Sequence, residues 1–165
     1  MPSELPVPLE FTLPHGWQPA APEQVGAPDV AFVALHPQPD AGFTANITID
    51  GAYRSDTASL ADLAEASYHR MQELAETVTV TSRNEVGSGE APGLTQQLVF
   101  SAVTDGRRRQ LVQTQVYLSM PDSEDLRKRA VIQLAVTATV TQYESVAGDF
   151  GALVRTVQPS SAASS

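Results

Sequence analysis

The sequence predicts an α+β domain built on one mainly antiparallel sheet of about six or seven strands, with helices packed on it. Period-two alternation of apolar and polar residues recurs in short runs, most clearly at Phe43, Ala45, Ile47, Ile49 and at Ile132, Leu134, Val136, Ala138, Val140. Two stretches, 60–75 and 143–157, switch to helical spacing. The strands succeed one another at hairpin distance, and hairpin-linked strands must pair antiparallel.

Leu9, Phe11 and Leu13 alternate with polar neighbours and read as a first strand, closed by the turn Pro14-His15-Gly16-Trp17. Residues 18–28 carry Pro19, Pro22, Gly26 and Pro28 and read as loop. The short apolar run Val30 to Leu35, ended by His36-Pro37-Gln38-Pro39, reads as a second strand, with Gly42 to Tyr53 as its hairpin partner. Leu60, Leu63, Ala64, Ser67, Met71 and Leu74 then fall at helical spacing, and Ser59-Leu60-Ala61-Asp62 has the form of a capping box. This helix is expected to pack through Leu63, Met71 and Leu74.

Thr77 to Val86 has strand composition, and Gly87 to Gly93 reads as loop. Leu94, Leu98, Phe100 and Ala102 alternate up to Thr104-Asp105-Gly106-Arg107, where Asp-Gly favours a tight hairpin turn into a strand from Arg109 to Leu118. Beyond the polar segment around Pro121 to Asp125, Ala130 to Val140 reads as a long central strand. Thr141-Gln142-Tyr143-Glu144 has the form of a second capping box, opening a helix weakened by Gly148 and Gly151 at about 1 kcal/mol each. One domain over 8–158 is expected, with flexible termini at 1–7 and 159–165.

The 165 residues include no cysteine, which removes disulfides, thiolate metal sites and thiol nucleophiles together. A net charge of −9 disfavours phosphate backbones and anionic membrane surfaces, so neither nucleic acid nor direct membrane insertion is expected. The start Met1-Pro2-Ser3-Glu4-Leu5-Pro6 has no basic run and no apolar stretch of signal length, and the expected address is the cytoplasm.

At this point the residues resemble a known superfamily, that of PsbP, the Ran-binding Mog protein and the bacterial DcrB and LpqN-type proteins. The resemblance rests on Leu13-Pro14-His15-Gly16-Trp17, on the strand Phe43-Thr44-Ala45-Asn46-Ile47-Thr48-Ile49, on the helix start Ser59-Leu60-Ala61-Asp62-Leu63, and on a last strand running straight into a terminal helix. It is strongest for the actinobacterial LpqN-type branch and spans 8–158. It implies an antiparallel sheet between helices and a role in binding, as assembly factor, chaperone or adaptor, and it carries over no catalytic residues.

The chemistry legible in the residues agrees with that implication. His15, His36 and His69 have no zinc-type spacing, Gly87-Ser88-Gly89 is no nucleophile elbow, and the carboxylate pairs Glu124-Asp125 and Asp62 with Glu65 sit in polar stretches. No catalytic residue, metal or cofactor is expected. Arg107-Arg108-Arg109 is the one dense basic patch, either a guard against aggregation at the sheet edge or a site for an acidic partner. Trp17, the sole tryptophan, is either a lid packed on the core or an exposed interface anchor. Gln97, Gln113, Gln115, Gln133, Thr114, Thr137 and Thr139 suggest a polar, partly uncovered sheet face. The function expected is that of a non-catalytic cytoplasmic module binding another protein. The alternative is a carrier of a small molecule or lipid, or an enzyme, with its pocket between sheet and helix.

Overall fold

Hairpin succession and alternation build the architecture seen in a computed structural model that describes residues 9–25, 30–54, 58–87, 92–104, 106–121 and 129–159. The expected tail at 1–7, all of the expected tail 159–165 beyond residue 159, Asp105 of the hairpin turn, Ser88 to Ala91 and the segment Asp122 to Lys128 lie outside the described residues. In chain order the elements are β1 (Leu9–Glu10), β2 (Gln18–Ala20), a 3-10 turn (Pro22–Val25), β3 (Phe32–Leu35), β4 (Asn46–Arg54), α1 (Leu60–Leu74), β5 (Glu76–Gly87) and β6 (Pro92–Thr104). They continue with β7 (Arg107–Pro121), β8 (Arg129–Thr139), α2 (Tyr143–Thr156) and β9 (Gln158–Pro159). Seven of the strands form one antiparallel sheet in the order β2-β3-β4-β8-β7-β6-β5, while β1 and β9 pair with each other outside it.

The register places β8 between β4 and β7, with Leu134 opposite both Ile49 and Val116. Successive strand residues face opposite sides, so Ile132, Leu134, Val136 and Ala138 all meet the Val146, Phe150 and Leu153 face of α2. Val131, Tyr117 and Leu94 point the other way, onto Leu60 and Ala64 of α1. The result is three layers, a helix on each face of an antiparallel sheet. Among the described residues no helix is long and apolar enough to cross a membrane.

Several elements differ from the sequence expectation. Gln18–Ala20 is a strand paired with β3, and Pro19 is tolerated there because β2 is an edge. Only Leu9 and Glu10 of the first alternating run are strand, and they pair with β9, so the run supplies the core with Phe11 and Leu13 instead. Phe11 meets Phe32 edge-on at a centroid distance of 5.1 Å. Pro159, placed by the sequence in the flexible tail, pairs with Leu9.

The central strand ends at Thr139, one residue short, and Val140 stands in the following turn. Helix α1 has the expected box, Ser59 Oγ accepting from Asp62 N and Asp62 Oδ2 from Ser59 N, both at 3.0 Å. It packs through Leu60, Ala64 and Ser67, with Leu63 and Met71 only partly buried. Leu74 shares that stripe by spacing but falls in the final turn, just before the chain leaves for β5, and it is 81% exposed. The second box does not form: Gln142 is the N-cap without a side-chain cap, and its N–H is taken by Thr139 Oγ1 at 3.2 Å.

Candidate functional site

The three arginines stand at the start of β7, opposite Thr104, Val103 and Ala102 of β6. The edges of the sheet are β2 and β5, and the patch lies on interior strand β7, with Arg108 reaching Glu76 of edge strand β5. Edge strand β5 is itself interrupted, with register breaks between Glu76 and Thr79 and between Val80 and Ser82, a device that discourages edge pairing. The β7–β8 ladder begins only at Leu111↔Thr139, which leaves the arginines facing the turn Asp40–Phe43 rather than another strand.

That turn is tight. Asp40 and Phe43 exchange both backbone hydrogen bonds, at 2.8 and 2.9 Å, across Ala41 and Gly42, whose φ angles are +51° and +82°. Positive φ at both central residues is the type I′ geometry. The Arg109 guanidinium donates to the Ala41 carbonyl, and Thr139 Oγ1 donates to Asp40 Oδ2 at 2.5 Å. The structure therefore gives the arginines different tasks. Arg109 is half-buried and latches the turn, Arg108 pairs with Glu76 at 3.1 Å with side chains 64% and 59% exposed, and Arg107 is exposed with no partner among the described residues. A shallow hollow of about 250 Å3 lies among them, and Val140 and Thr141 line it.

Trp17 is not part of that surface. It is 5% exposed, donates from Nε1 to Asp149 Oδ2 at 3.0 Å, and meets His36 edge-on at 5.1 Å. Of the two roles open to it, the packed lid is the one seen, and the interface-anchor assignment is corrected: an indole covered by α2 offers a partner nothing to grip. His15 and His69 are exposed, and among the described residues no three His, Asp or Glu side chains gather as metal ligands.

The polar strand residues divide between the two faces. Under α2, Gln97 Nε2 donates to Tyr143 Oη at 2.9 Å, and Thr114 contacts the same hydroxyl. Under α1, Gln96 and Gln115 are fully buried, so the expectation of a partly uncovered polar face is corrected at Gln115 and at Thr139, while Gln97, Gln113, Thr114, Gln133 and Thr137 stay partly exposed. Gln96 Nε2 donates to the Ala64 carbonyl at 3.0 Å and to Gln115 Oε1 at 2.9 Å, and Gln115 Nε2 donates to Ser67 Oγ at 2.9 Å. Tyr117 Oη donates to Gln115 Oε1 at 2.9 Å. Arg83 extends the network, bonding Gln96 Oε1 at 2.7 Å and Glu65 at 2.9 Å. Burial pushes the Tyr117 phenol above its ordinary pKa, against smaller opposing pulls from Ser67 and from the Arg70 and Arg83 charges.

Beside this network, a groove of about 240 Å3 separates α1 from β4 and β8. Leu63, Ala66 and Arg70 form its helical wall, while Asp50, Gly51, Ala52, Val131, Gln133 and Tyr117 line the sheet side.

No family model matches the chain, and no curated protein matches it in sequence. Solved structures do. LpqN, involved in cell envelope biogenesis of Mycobacterium tuberculosis, superposes with a TM-score of 0.64 at 16% identity, over 96% of this chain and 89% of that one. The cyanobacterial PsbP (CyanoP) of Synechocystis gives 0.57 at 14% identity, over 92% and 86%. The chain has a PsbP/LpqN-like fold. A protein of unknown function from Pseudomonas aeruginosa shares it, with a TM-score of 0.55 at 16% identity, over 78% of this chain and 81% of that one. None of these names states a reaction.

Within this PsbP/LpqN-like fold the sequence reading located the arginines and missed what they touch. The Asp40 turn lies 68 residues from Arg109 by the Ala41 contact, and no periodicity links them. Gln96 was missed as well. Its signal was present in the pair Gln96-Gln97, because neighbours on a strand must face opposite layers, and one of two adjacent glutamines between helices had to be buried.

Proposed function

We propose that this chain is a non-catalytic protein-binding module, acting in the cytoplasm as an adaptor, assembly factor or chaperone, and that its partner docks at the arginine end of the sheet through an acidic surface. The observation that carries the proposal is the coincidence of charge and apolar exposure there. Arg107 is unpaired among the described residues, Arg108 is held only by a solvent-exposed ion pair, and Val103 and Val140 beside them are 63% and 51% exposed. Exposed ion pairs contribute only about 0–1 kcal/mol, so Arg108 can exchange Glu76 for a partner carboxylate at little cost. On a chain of net charge −9, such an end favours an acidic protein over nucleic acid or an anionic membrane. The names of the neighbours in fold, a cell-envelope-biogenesis protein and a cyanobacterial PsbP, fit a binding role.

The test is capture from the native host on the immobilised chain, alongside a variant with Arg107, Arg108 and Arg109 all changed to Ser. A partner retained by the parent, lost by the variant and released as salt rises supports the proposal. Equal retention on both would overturn it.

A further inference from the structure

We propose that the groove between α1 and the β4/β8 part of the sheet binds a small organic acid bearing a hydrogen-bond donor next to its carboxylate, the chemistry shared by amino acids and hydroxy acids. The site is separate from the arginine end. Tyr117 stands six residues along β7 from Leu111, where the ladder with β8 begins, so about 20 Å of strand divides the two.

The groove exists because α1 rests on the sheet through Leu60, Ala64 and Ser67, so that the flank carrying Leu63, Ala66 and Arg70 overhangs β8 and β4. These three residues recur at i, i+3 and i+7, one stripe of the helix. Gly51, Ala52 and Ala66 are too small to fill the space beneath it. At about 240 Å3 the volume falls below the range of about 300–1,000 Å3 that holds drug-sized ligands, so the occupant has few heavy atoms and is no lipid chain.

The lining defines the chemistry. Gln96, Gln113 and Gln115 on this face all have their amides bonded within the protein. Gln133 is half-buried at the groove, yet among the described residues its side chain makes no hydrogen bond. Arg70 likewise makes no hydrogen bond or ion pair among the described residues, and it supplies a fork of donors suited to a carboxylate. Gln133 is the half-buried group whose amide stays open, and Arg70, exposed on the helical rim, brings a charge to the same small groove; polar groups that converge on one concavity mark a place for a bonded ligand. Asp50 lies on the sheet side and accepts from an ammonium or hydroxyl. The Tyr117 hydroxyl is held in the buried network by Gln115, so Asp50 is the acceptor on the sheet side, while Leu63 and Val131 close the groove with apolar surface.

Titration of the full chain by two-dimensional amide NMR tests this, with serine, lactate and acetate as probes. Serine or lactate should produce saturable shifts at Ala66, Tyr117 and Gln133, and acetate, which has no second donor, should bind about tenfold more weakly. Saturation by serine alone assigns the donor to an ammonium, and by lactate alone to a hydroxyl; either supports the site. Arg70→Gln should weaken binding by about tenfold or more, since it removes a charge-assisted contact. Ala66→Leu should block the groove while leaving its charges in place. Both positions are exposed on the helix, and Gln and Leu are good helix formers, so both variants keep the fold. No saturable shift with any of the three acids, shifts that map to Arg107–Arg109 instead, or an Arg70→Gln variant that binds like the parent would each overturn the proposal.

Discussion

Gln96 and Gln115 sit directly opposite each other in the β6–β7 ladder, both buried beneath α1, with Gln96 Nε2 donating to Gln115 Oε1 at 2.9 Å. Removing one partner costs more than removing both, because stranded buried polar groups carry their full desolvation penalty. Gln115→Leu leaves the Tyr117 hydroxyl without its acceptor and should cost about 1–3 kcal/mol in urea unfolding. The double variant Gln96→Leu/Gln115→Leu should cost less than the sum of the two single changes, because the groups share one network. Strict additivity would show that the amides do not act as a pair.

Trp17 provides a reporter for the opposite face. It is the only tryptophan, so intrinsic emission reads one buried site. The folded chain should emit to the blue of the unfolded one and resist quenching by iodide. Trp17→Ala should cost about 3–5 kcal/mol, the range for truncating a buried large aromatic. Emission matching that of the denatured chain would contradict the packing on α2.

The same residues show how far a sequence reaches. The central strands were legible because both faces of β8 are covered and its apolar period continues almost unbroken from Ala130 to Ala138. Helix α1 was legible because Ser59 and Asp62 form a local cap, and a hydrogen-bond pattern closed within four residues leaves its mark on four letters. What escaped was non-local. Leu9 pairs with Pro159 across the whole chain, and Gln18–Ala20 becomes a strand only because β3 lies beside it. For the candidate site, the arginines were visible as composition. Their division into a latch, an exchangeable ion pair and a side chain unpaired among the described residues depends on a turn contributed from residues 40–43.

The helix stripe supplies a graded series. Leu60 is buried, Leu63 partly buried and Leu74 exposed. Leu60→Ala should cost about 2–5 kcal/mol, and Leu74→Ala should stay within about 0.5 kcal/mol. Leu63→Ala should fall between them, since only part of its side chain leaves water. Denaturation midpoints at constant slope measure the order, and a cost at Leu74 equal to that at Leu60 would place the helix end wrongly.

Tyr117 links stability to alkaline pH. Its folded pKa is raised by burial, so above the ordinary tyrosine pKa the unfolded chain gives up this proton while the folded chain keeps it. The contribution is present in full below about pH 10 and is lost as the pH rises through the folded value. Tyr117→Phe removes it, and the alkaline fall in stability should become shallower than in the parent. Parallel stability profiles of the two proteins above about pH 10 would mean that Tyr117 titrates as a solvent-exposed phenol.

The arginine end separates structure from recognition one residue at a time. Arg109 holds the Ala41 carbonyl of a turn whose two central residues both have positive φ, so Arg109→Ser should lower the melting temperature. Arg108→Ser removes only an exposed ion pair and should cost at most about 1 kcal/mol. Arg107→Ser should leave stability within about 0.5 kcal/mol, because nothing among the described residues depends on it. Binding should rank differently: an acidic partner should lose affinity with Arg107→Ser and Arg108→Ser, and the loss should shrink as salt screens charges beyond about 8 Å. Because the sheet edges are β2 and β5, neither variant should aggregate at concentrations where the parent stays clear. Light scattering and partner titration on the same samples decide the matter. Aggregation of Arg107→Ser with unchanged affinity would return the patch to the role of a guard and remove the basis for docking there.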